Sequence, residues 1–386
     1  MSLQAPSPEK FTSRLRSPHV AARVGRWLGI SFGICFLTGL ISHYAQVPGQ
    51  PIPFPTSPSW GYRLTQGLHV TTGTAAIPLL LIKLWTVYPN LFARMPVRDV
   101  RRIVVTGLER ASIAVLVAAG IFLPTTGLLN TTHWYPWSFS FRSTHYAVAW
   151  VAIGALLVHI CVKLPIIRDV LRGDVDDDTH DRPTAVDEGA LSRRGLLRTT
   201  WIATGVAVLA TAGATVPLLR GVSVLGVRSG EGPGGVPINK SAQAAQITDD
   251  MVGADWRLTV VVDGAEMAFT RDDLVGMPQR TETLPIACVE GWSASGEWSG
   301  VRLRDLLDLV GAPRDADLTV RSLQPSGPYR ATTLPANFVD DDRTLLALGL
   351  SGETLDRDHG YPCRLIAPNR PGVLQTKWLG RLEVQT

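Results

Sequence analysis

One thiol, Cys288, stands in a stretch unlike the rest of the chain, ThrLeuProIleAlaCysValGluGlyTrpSer, from Thr283 to Ser293. An apolar, strand-like run delivers it to a Gly-Trp turn, and a thiolate is a soft ligand suited to a redox metal. Two cations follow in ordered motifs: Arg364 within HisGlyTyrProCysArgLeuIleAlaPro (His359 to Pro368), and Lys377 within LysTrpLeuGly. A guanidinium and an ammonium can neutralise a buried phosphate, the guanidinium bidentately. Taken singly, each residue has a plainer reading. A cysteine beside Ile286 and Ala287 is commonly a small core residue, and a lone Arg or Lys is commonly a surface charge.

The other reactive set is four histidines in or beside apolar runs: His43, His69, His145 and His159. Ionisable residues there are functional by default. His145 and His159 lie fourteen residues apart on one expected helix, roughly 21 Å and nearly four turns, hence on nearly the same face at different depths.

Those residues need two kinds of scaffold. The 386 residues are 45% hydrophobic with positive mean hydropathy, so membrane helices are expected and a single soluble domain is not. The formal charge of +4 does not point to nucleic acid, because the arginines cluster beside apolar runs as membrane topology demands. The four cysteines do not read as a disulfide framework.

Arg14, Arg16, Arg23 and Arg26 precede a first apolar run, Trp27 to Tyr44, which places the N-terminus inside. A Pro-rich, nearly uncharged segment (Val47 to Trp60) suits an external interfacial loop. The second helix, about Tyr62 to Tyr88, returns with Lys83 able to snorkel near its inner end. Arg94, Arg98, Arg101 and Arg102 then mark an inner loop, before a third helix ending near Leu128. Glu109 and Arg110 at its start read as an interfacial ion pair or as a quinone or proton site. An aromatic loop (Thr131 to Ser143) should be external, and a fourth helix, about Ser143 to Asp169, returns inside. The acidic run Asp174 to Asp181 lacks calcium-loop spacing and reads as a solvated linker. SerArgArgGlyLeuLeuArg (Ser192 to Arg198) precedes a fifth apolar helix, Thr199 to Leu219, which leaves everything after about Arg220 outside. A Gly/Pro-rich tether (Gly230 to Pro237) leads into alternating strand patterns such as Leu258 to Val262 and Leu318 to Ser322, with a helix at Leu303 to Val310.

The motifs around Cys288, Arg364 and Lys377 resemble the molybdopterin-binding domain of the sulfite oxidase family, over roughly the last two fifths of the chain. The resemblance implies that Cys288 ligates molybdenum and that Arg364 and Lys377 hold the cofactor phosphate. More weakly, it implies that Asn239 and His359 touch the pterin. Trp292 and Trp298 read as packing residues, with Trp292 placed where a pocket wall would stand. The fourth helix resembles that of b-type cytochrome subunits of formate dehydrogenases and Ni-hydrogenases, which implies one or two b haems, the outer one held by His69 and His145. The family's inner first-helix histidine aligns with Arg26, so the partner of His159 stays open. It is His19, a lone cavity, or none, with His159 then a core histidine. His43 is a possible substitute for either outer ligand or an interfacial residue; His133 and His180 are unassigned. Arg193 and Arg194 resemble a twin-arginine export signal kept as an anchor, or serve as a plain positive-inside flank.

The expected fold is therefore a helical transmembrane bundle of about five helices followed by an α+β mixed-sheet domain. The expected divisions are a cytoplasmic tail (1–25), a four-helix cytochrome domain (26–170), a cytoplasmic linker (171–198), a fifth transmembrane helix (199–220), a tether (221–238) and a molybdopterin-binding domain (239–386). The expected function is a multi-pass plasma-membrane oxidoreductase, its molybdenum domain outside, transferring an oxygen atom to or from a small-molecule substrate and exchanging electrons with the quinone pool. Sulfite oxidases follow their cysteine with Ala-Gly-Asn-Arg-Arg. Here Val289, Glu290, Gly291, Trp292 and Ser293 follow, resembling the family's sulfoxide reductase branch and favouring a neutral S-oxide or N-oxide such as methionine sulfoxide. The alternatives are a sulfite dehydrogenase, with Arg330 or Arg370 reaching the pocket, and a non-catalytic binding module on a membrane anchor.

Overall fold

The computed structural model describes residues 7–52, 54–93, 99–226 and 232–385; Arg94, Arg98 and the first two residues of the Gly/Pro-rich tether, Gly230 and Glu231, lie outside them. The chain divides into two compact units, one of residues 1–37, 68–212 and 222–225, the other of residues 38–67, 213–221 and 226–386.

Five helices dominate the first part of the chain: α1 (Pro18–Ala45), α2 (Gly61–Val87), α3 (Val100–Thr131), α4 (Phe141–Arg172) and α5 (Arg193–Thr211). All five segments are long and apolar enough to cross a membrane, which makes this a multi-pass membrane architecture. Polar caps set several starts, since Asp99, Ser140 and Ser192 each accept a first-turn N–H.

Three local expectations change. Helix α5 begins at Arg193, not Thr199, because Ser192 caps it and the acidic run turns back onto its first residues. Buried Arg193 pairs with Asp181 and donates to the carbonyls of Asp177 (2.6 Å) and Val175 (3.1 Å), while Arg194 bridges Asp174 (2.7 Å) and Asp176 (2.8 Å). That run is therefore an ordered counter-charge and not a solvated linker. Glu109 pairs with Lys163 of α4, and Arg110 donates to the Ala93 carbonyl. Consecutive helical residues do not face each other, so the Glu109–Arg110 pair does not form.

The second unit carries two five-stranded sheets. The first has the order β2 (Ala265–Thr270), β1 (Arg257–Val262), β10 (Leu379–Val384), β5 (Leu318–Ser322), β6 (Ala331–Leu334). The second has β3 (Gln279–Ala287), β4 (Ser293–Arg302), β7 (Leu345–Leu350), β8 (Glu353–Thr354), with β9 (Arg364–Ile366) also on β7. Short helices α6 (Arg271–Gly276), α7 (Leu303–Leu309) and α8 (Ala336–Val339) complete it. Among the described residues of this unit, β1 and β10 pair in parallel and the other strand pairs are antiparallel, so the domain is α+β with mixed sheets. One core gathers Leu258, Val260, Leu306, Phe338 and Leu382. A second, around β3, β4 and β7, contains Cys288, Trp292 and Trp298.

Candidate functional site

Cys288 occupies the tip of the β3–β4 hairpin, whose register closes at Ala287 opposite Ser293. Its N–H donates to the Trp292 carbonyl (2.8 Å) and its own carbonyl accepts from Gly291 (3.1 Å). Gly291 has φ +81°, a turn conformation that glycine adopts without strain. The thiol lies 3.6 Å from Glu290 Oε2, which also accepts from the Trp292 indole at 3.3 Å. Burial pushes the thiol well above its ordinary pKa, and the Glu290 carboxylate adds to the shift. Without a metal Cys288 is therefore protonated, and metal binding must release that proton.

Arg364 opens β9, and Lys377 lies two residues before β10. The backbone stitches these segments together, Leu365 donating to Thr376 and Leu379 to Cys363, each at 2.9 Å, so the two cations arrive side by side from different sheets. Between them Gly360 has φ +108°. A Cβ there would stand 3.0 Å from that of Lys377 and 3.1 Å from that of Arg364. Arg364 donates to the carbonyls of His359 (2.9 Å) and Gln375 (3.3 Å), and Lys377 to those of Lys240 and Asp358 (2.8 Å for the latter). Burial lowers Arg364 to about 9. Burial and then Arg364 lower Lys377 to about 7, with Cys288 acting in the opposite sense. His359 falls to about 4 through burial, then Arg364 and Lys377. The structure thus brings Cys288, His359, Arg364 and Lys377 into one electrostatic neighbourhood. Asn239 is half-buried directly before Lys240, whose carbonyl Lys377 holds.

These residues suit a phosphorylated cofactor. Buried Arg364 Nε and Trp298 Nε1 have no hydrogen-bond partner, and they cluster with His359: the Arg364 guanidinium lies 4.8 Å from the Trp298 ring centre and the His359 ring 6.4 Å from it. Each orphaned donor costs about 1–3 kcal/mol, which a bound phosphate would offset. Trp298, a packing residue by its sequence, comes beside Arg364 and His359 through cross-strand pairing, which leaves no local motif.

Glu290 belongs to the run that the sequence links to a neutral substrate, and its contact with the thiol follows only from the turn. Tyr62 belongs to no motif in the sequence. Tyr62 packs against Ala287, and its hydroxyl meets Ser42 (3.0 Å), Gln46 (2.9 Å) and Gln66 (3.1 Å) in a buried polar cluster. Arg330 is exposed. Arg370 is buried, donates to the Thr333 carbonyl at 2.8 Å, and retains Nε and Nη1 without partners.

In the helical unit, the His69 and His145 ring centres are 6.2 Å apart. Two imidazoles on opposite sides of one metal, each with a bond of about 2.0 Å, place ring centres roughly 6 to 6.5 Å apart. His69 Nδ1 donates to the Cys35 carbonyl at 3.0 Å. His145 Nδ1 lies 2.9 Å from Thr126 Oγ1, whose own proton goes to the Phe122 carbonyl at 2.9 Å. Thr126 therefore accepts from Nδ1–H, and both rings carry their lone pair on Nε2, the tautomer that metal-ligating histidines commonly hold through a second hydrogen bond. The pair fits a haem iron.

His43 lies in the other unit, its ring edge-on to Tyr44 at 5.6 Å. His159 interacts electrostatically with Lys83, Lys163 and Glu109. His19 does not serve as its partner, because its ring stands 5.9 Å from that of His180 and against Gly173. Gly173 follows His159 by fourteen residues, roughly 21 Å along a helix. His180 bonds Asp169 at 2.6 Å, and His133 is exposed.

Five helices long and apolar enough to cross a membrane thus precede a mixed-sheet α+β domain whose buried cations suit a phosphorylated cofactor. Residues 244–386 match the family model described as "Oxidoreductase molybdopterin binding domain", which marks the chain as an enzyme. Sulfite oxidase of Arabidopsis thaliana is 28% identical over 171 residues, 36% of this chain and 43% of that protein. A protein of Azospira oryzae provisionally named protein-methionine-sulfoxide reductase subunit YedZ1 is 35% identical over 117 residues, 30% of this chain and 44% of that protein. Mitochondrial sulfite oxidase of Homo sapiens is 29% identical over 158 residues, 34% of this chain and 29% of that protein. The chain thus spans less than half the length of these curated relatives.

Proposed function

We propose that this protein reduces a neutral S-oxide or N-oxide, such as methionine sulfoxide, at a molybdenum cofactor, with electrons drawn from the quinone pool through haem b. When bound, the molybdenum cofactor supplies two-electron oxygen-atom transfer: the sulfoxide, two electrons and two protons become sulfide and water. Cys288 supplies the thiolate ligand. Arg364 and Lys377 hold the phosphate, and His359 and Asn239 line its cradle. Trp292, pinned by Glu290, forms a wall beside the metal position. His69 and His145 position a one-electron carrier among the helices.

The observation that carries the direction of reaction is the Glu290 carboxylate 3.6 Å from Cys288 Sγ. A negative charge beside the metal ligand opposes an anion such as sulfite and tolerates a neutral oxide. The arginine clusters support an N-terminus inside the plasma membrane and a molybdenum domain outside it. Arg193–Arg194 supports twin-arginine export before those residues settle into their ion pairs. The test is to assay the purified protein in both directions, with reduced dye plus sulfoxide and with sulfite plus an oxidised acceptor. Brisk sulfite oxidation without sulfoxide turnover would establish the sulfite dehydrogenase reading instead.

A further inference from the structure

A cavity of about 170 Å³ opens between the early turns of α1 and α5, with Leu79 of α2 at its floor. Its lining is divided. Val24, Leu79 and Leu197 make an apolar floor; Trp27 and Trp201 form an edge-to-face wall with ring centres 5.1 Å apart; Arg26 stands exposed at the lip, its guanidinium 5.5 Å from the Trp27 ring centre. No acidic residue lines it. Arg23, also in the lining, donates to the carbonyls of His19, Val170 and Gly173, so it serves as scaffold. Exposed Arg198, outside the lining, lies one turn before Trp201 on α5, where an i, i+3 neighbour shares Trp201's side of the helix.

We propose that this cavity is a binding site for an anionic phospholipid, the phosphate at Arg26 and Arg198 and the first acyl carbons against Trp27, Trp201 and Leu79. The two halves of the cavity match the two halves of such a molecule. A guanidinium pairs with phosphate through two parallel N–H bonds, and tryptophan concentrates at the boundary between headgroup and acyl chain. Basic recesses between spanning helices hold anionic headgroups for this reason. An inorganic phosphate would leave the apolar floor uncovered, and a neutral quinone would leave the arginines without a counter-charge. The cavity shares no lining residue with the Cys288 site or the histidine pair, and the proposal does not depend on the reaction proposed above.

The full-length protein is placed in nanodiscs of phosphatidylcholine alone or with phosphatidylglycerol, and lipid retention by native mass spectrometry is compared with thermal unfolding. Phosphatidylglycerol should be retained and should raise Tm, whereas inorganic phosphate at equal concentration should not. R26Q and R198Q should each weaken phosphatidylglycerol retention roughly fivefold, without changing Tm in phosphatidylcholine, and R26K should recover part of the loss. If R26Q is poorly folded, R198Q carries the test. Equal retention of the two lipids by the wild type overturns the proposal. So does an undiminished phosphatidylglycerol preference in both variants, an equal Tm shift with inorganic phosphate, or displacement of the lipid by a quinone analogue.

Discussion

Replacing Arg364 by methionine separates the cost of the buried guanidinium from its use. Arg364 is 3% exposed, its bonds go to the His359 and Gln375 carbonyls, and Nε is orphaned. Burial has already lowered it to about 9. Exchanging such a charge for an apolar side chain of similar length is commonly neutral or stabilising. With cofactor present the balance reverses, because two charge-assisted bonds to a phosphate at about 1.5–3 kcal/mol each amount to about 3–6 kcal/mol, or roughly 10² to 10⁴ in affinity. R364M should therefore unfold, stripped of cofactor, at a Tm no lower than the stripped wild type, yet keep only roughly a tenth or less of the wild-type molybdenum through dialysis. Molybdenum by mass spectrometry and Tm by calorimetry are both required. Wild-type molybdenum content in R364M would refute the phosphate role, and a lowered Tm in the stripped variant would show that the arginine is structural.

C288S should abolish turnover while leaving pterin content largely intact, because a hydroxyl is a hard and weakly ionised substitute for a thiolate; full turnover would make Cys288 a packing residue. H69A and H145A should each lose the bis-imidazole spectrum, while T126V, which removes only the acceptor of His145 Nδ1–H, should keep the haem and shift its midpoint potential; an intact spectrum in both alanine variants would reject the pair. E290Q should raise any sulfite turnover relative to sulfoxide turnover, and unchanged selectivity would remove the electrostatic argument for direction. Lys377 gives a pH signature in the cofactor-free protein: its folded pKa, about 7, lies below its unfolded value, so the unfolded chain holds the extra proton between about pH 7 and about pH 10.5 and stability rises with pH across that window. K377M should flatten that rise, as followed by urea midpoints.

The parts legible in the sequence were those whose signal is local. Five apolar runs gave five helices. The Cys288 turn, the Arg364 motif and the Lys377 motif could each be found without partners, because each is a short run of neighbouring residues; that Gly360 would stand between the two cations could not, since strands of different sheets bring them together. What escaped notice depends on pairing at long range. Arg193 and Arg194 looked like a flank or an export signal, and nothing in the run of aspartates stated that it would fold back onto them. Trp298 looked like filler until β3, β4 and β7 set it beside His359 and Arg364.

The Pro-rich segment from Val47 to Trp60 carries this furthest. Its lack of charge and its aromatic end imply an interfacial loop, and nothing in them foretells that its described residues bind residues 333–369 almost entirely through main-chain groups. Pro48 accepts from the N–H of Thr333 (2.7 Å) and Ser59 from that of Asn369 (3.2 Å); the Asn369 and Asn337 amides donate to Pro55 and Phe54, each at 2.7 Å, and Arg343 donates to Thr56 at 3.2 Å. Carbonyl acceptors are the same for every residue type, so such docking leaves no composition to read. Prolines suit the arrangement, since an extended strap with fixed φ loses little further entropy on docking and needs few donors of its own. Asn369 does both jobs, accepting from the Tyr62 N–H while its amide holds Pro55. The strap thus arrives at the turn of chain where Tyr62 packs on Ala287, one residue before the thiol, so the geometry around Cys288 is set partly by residues that the sequence places more than two hundred positions away.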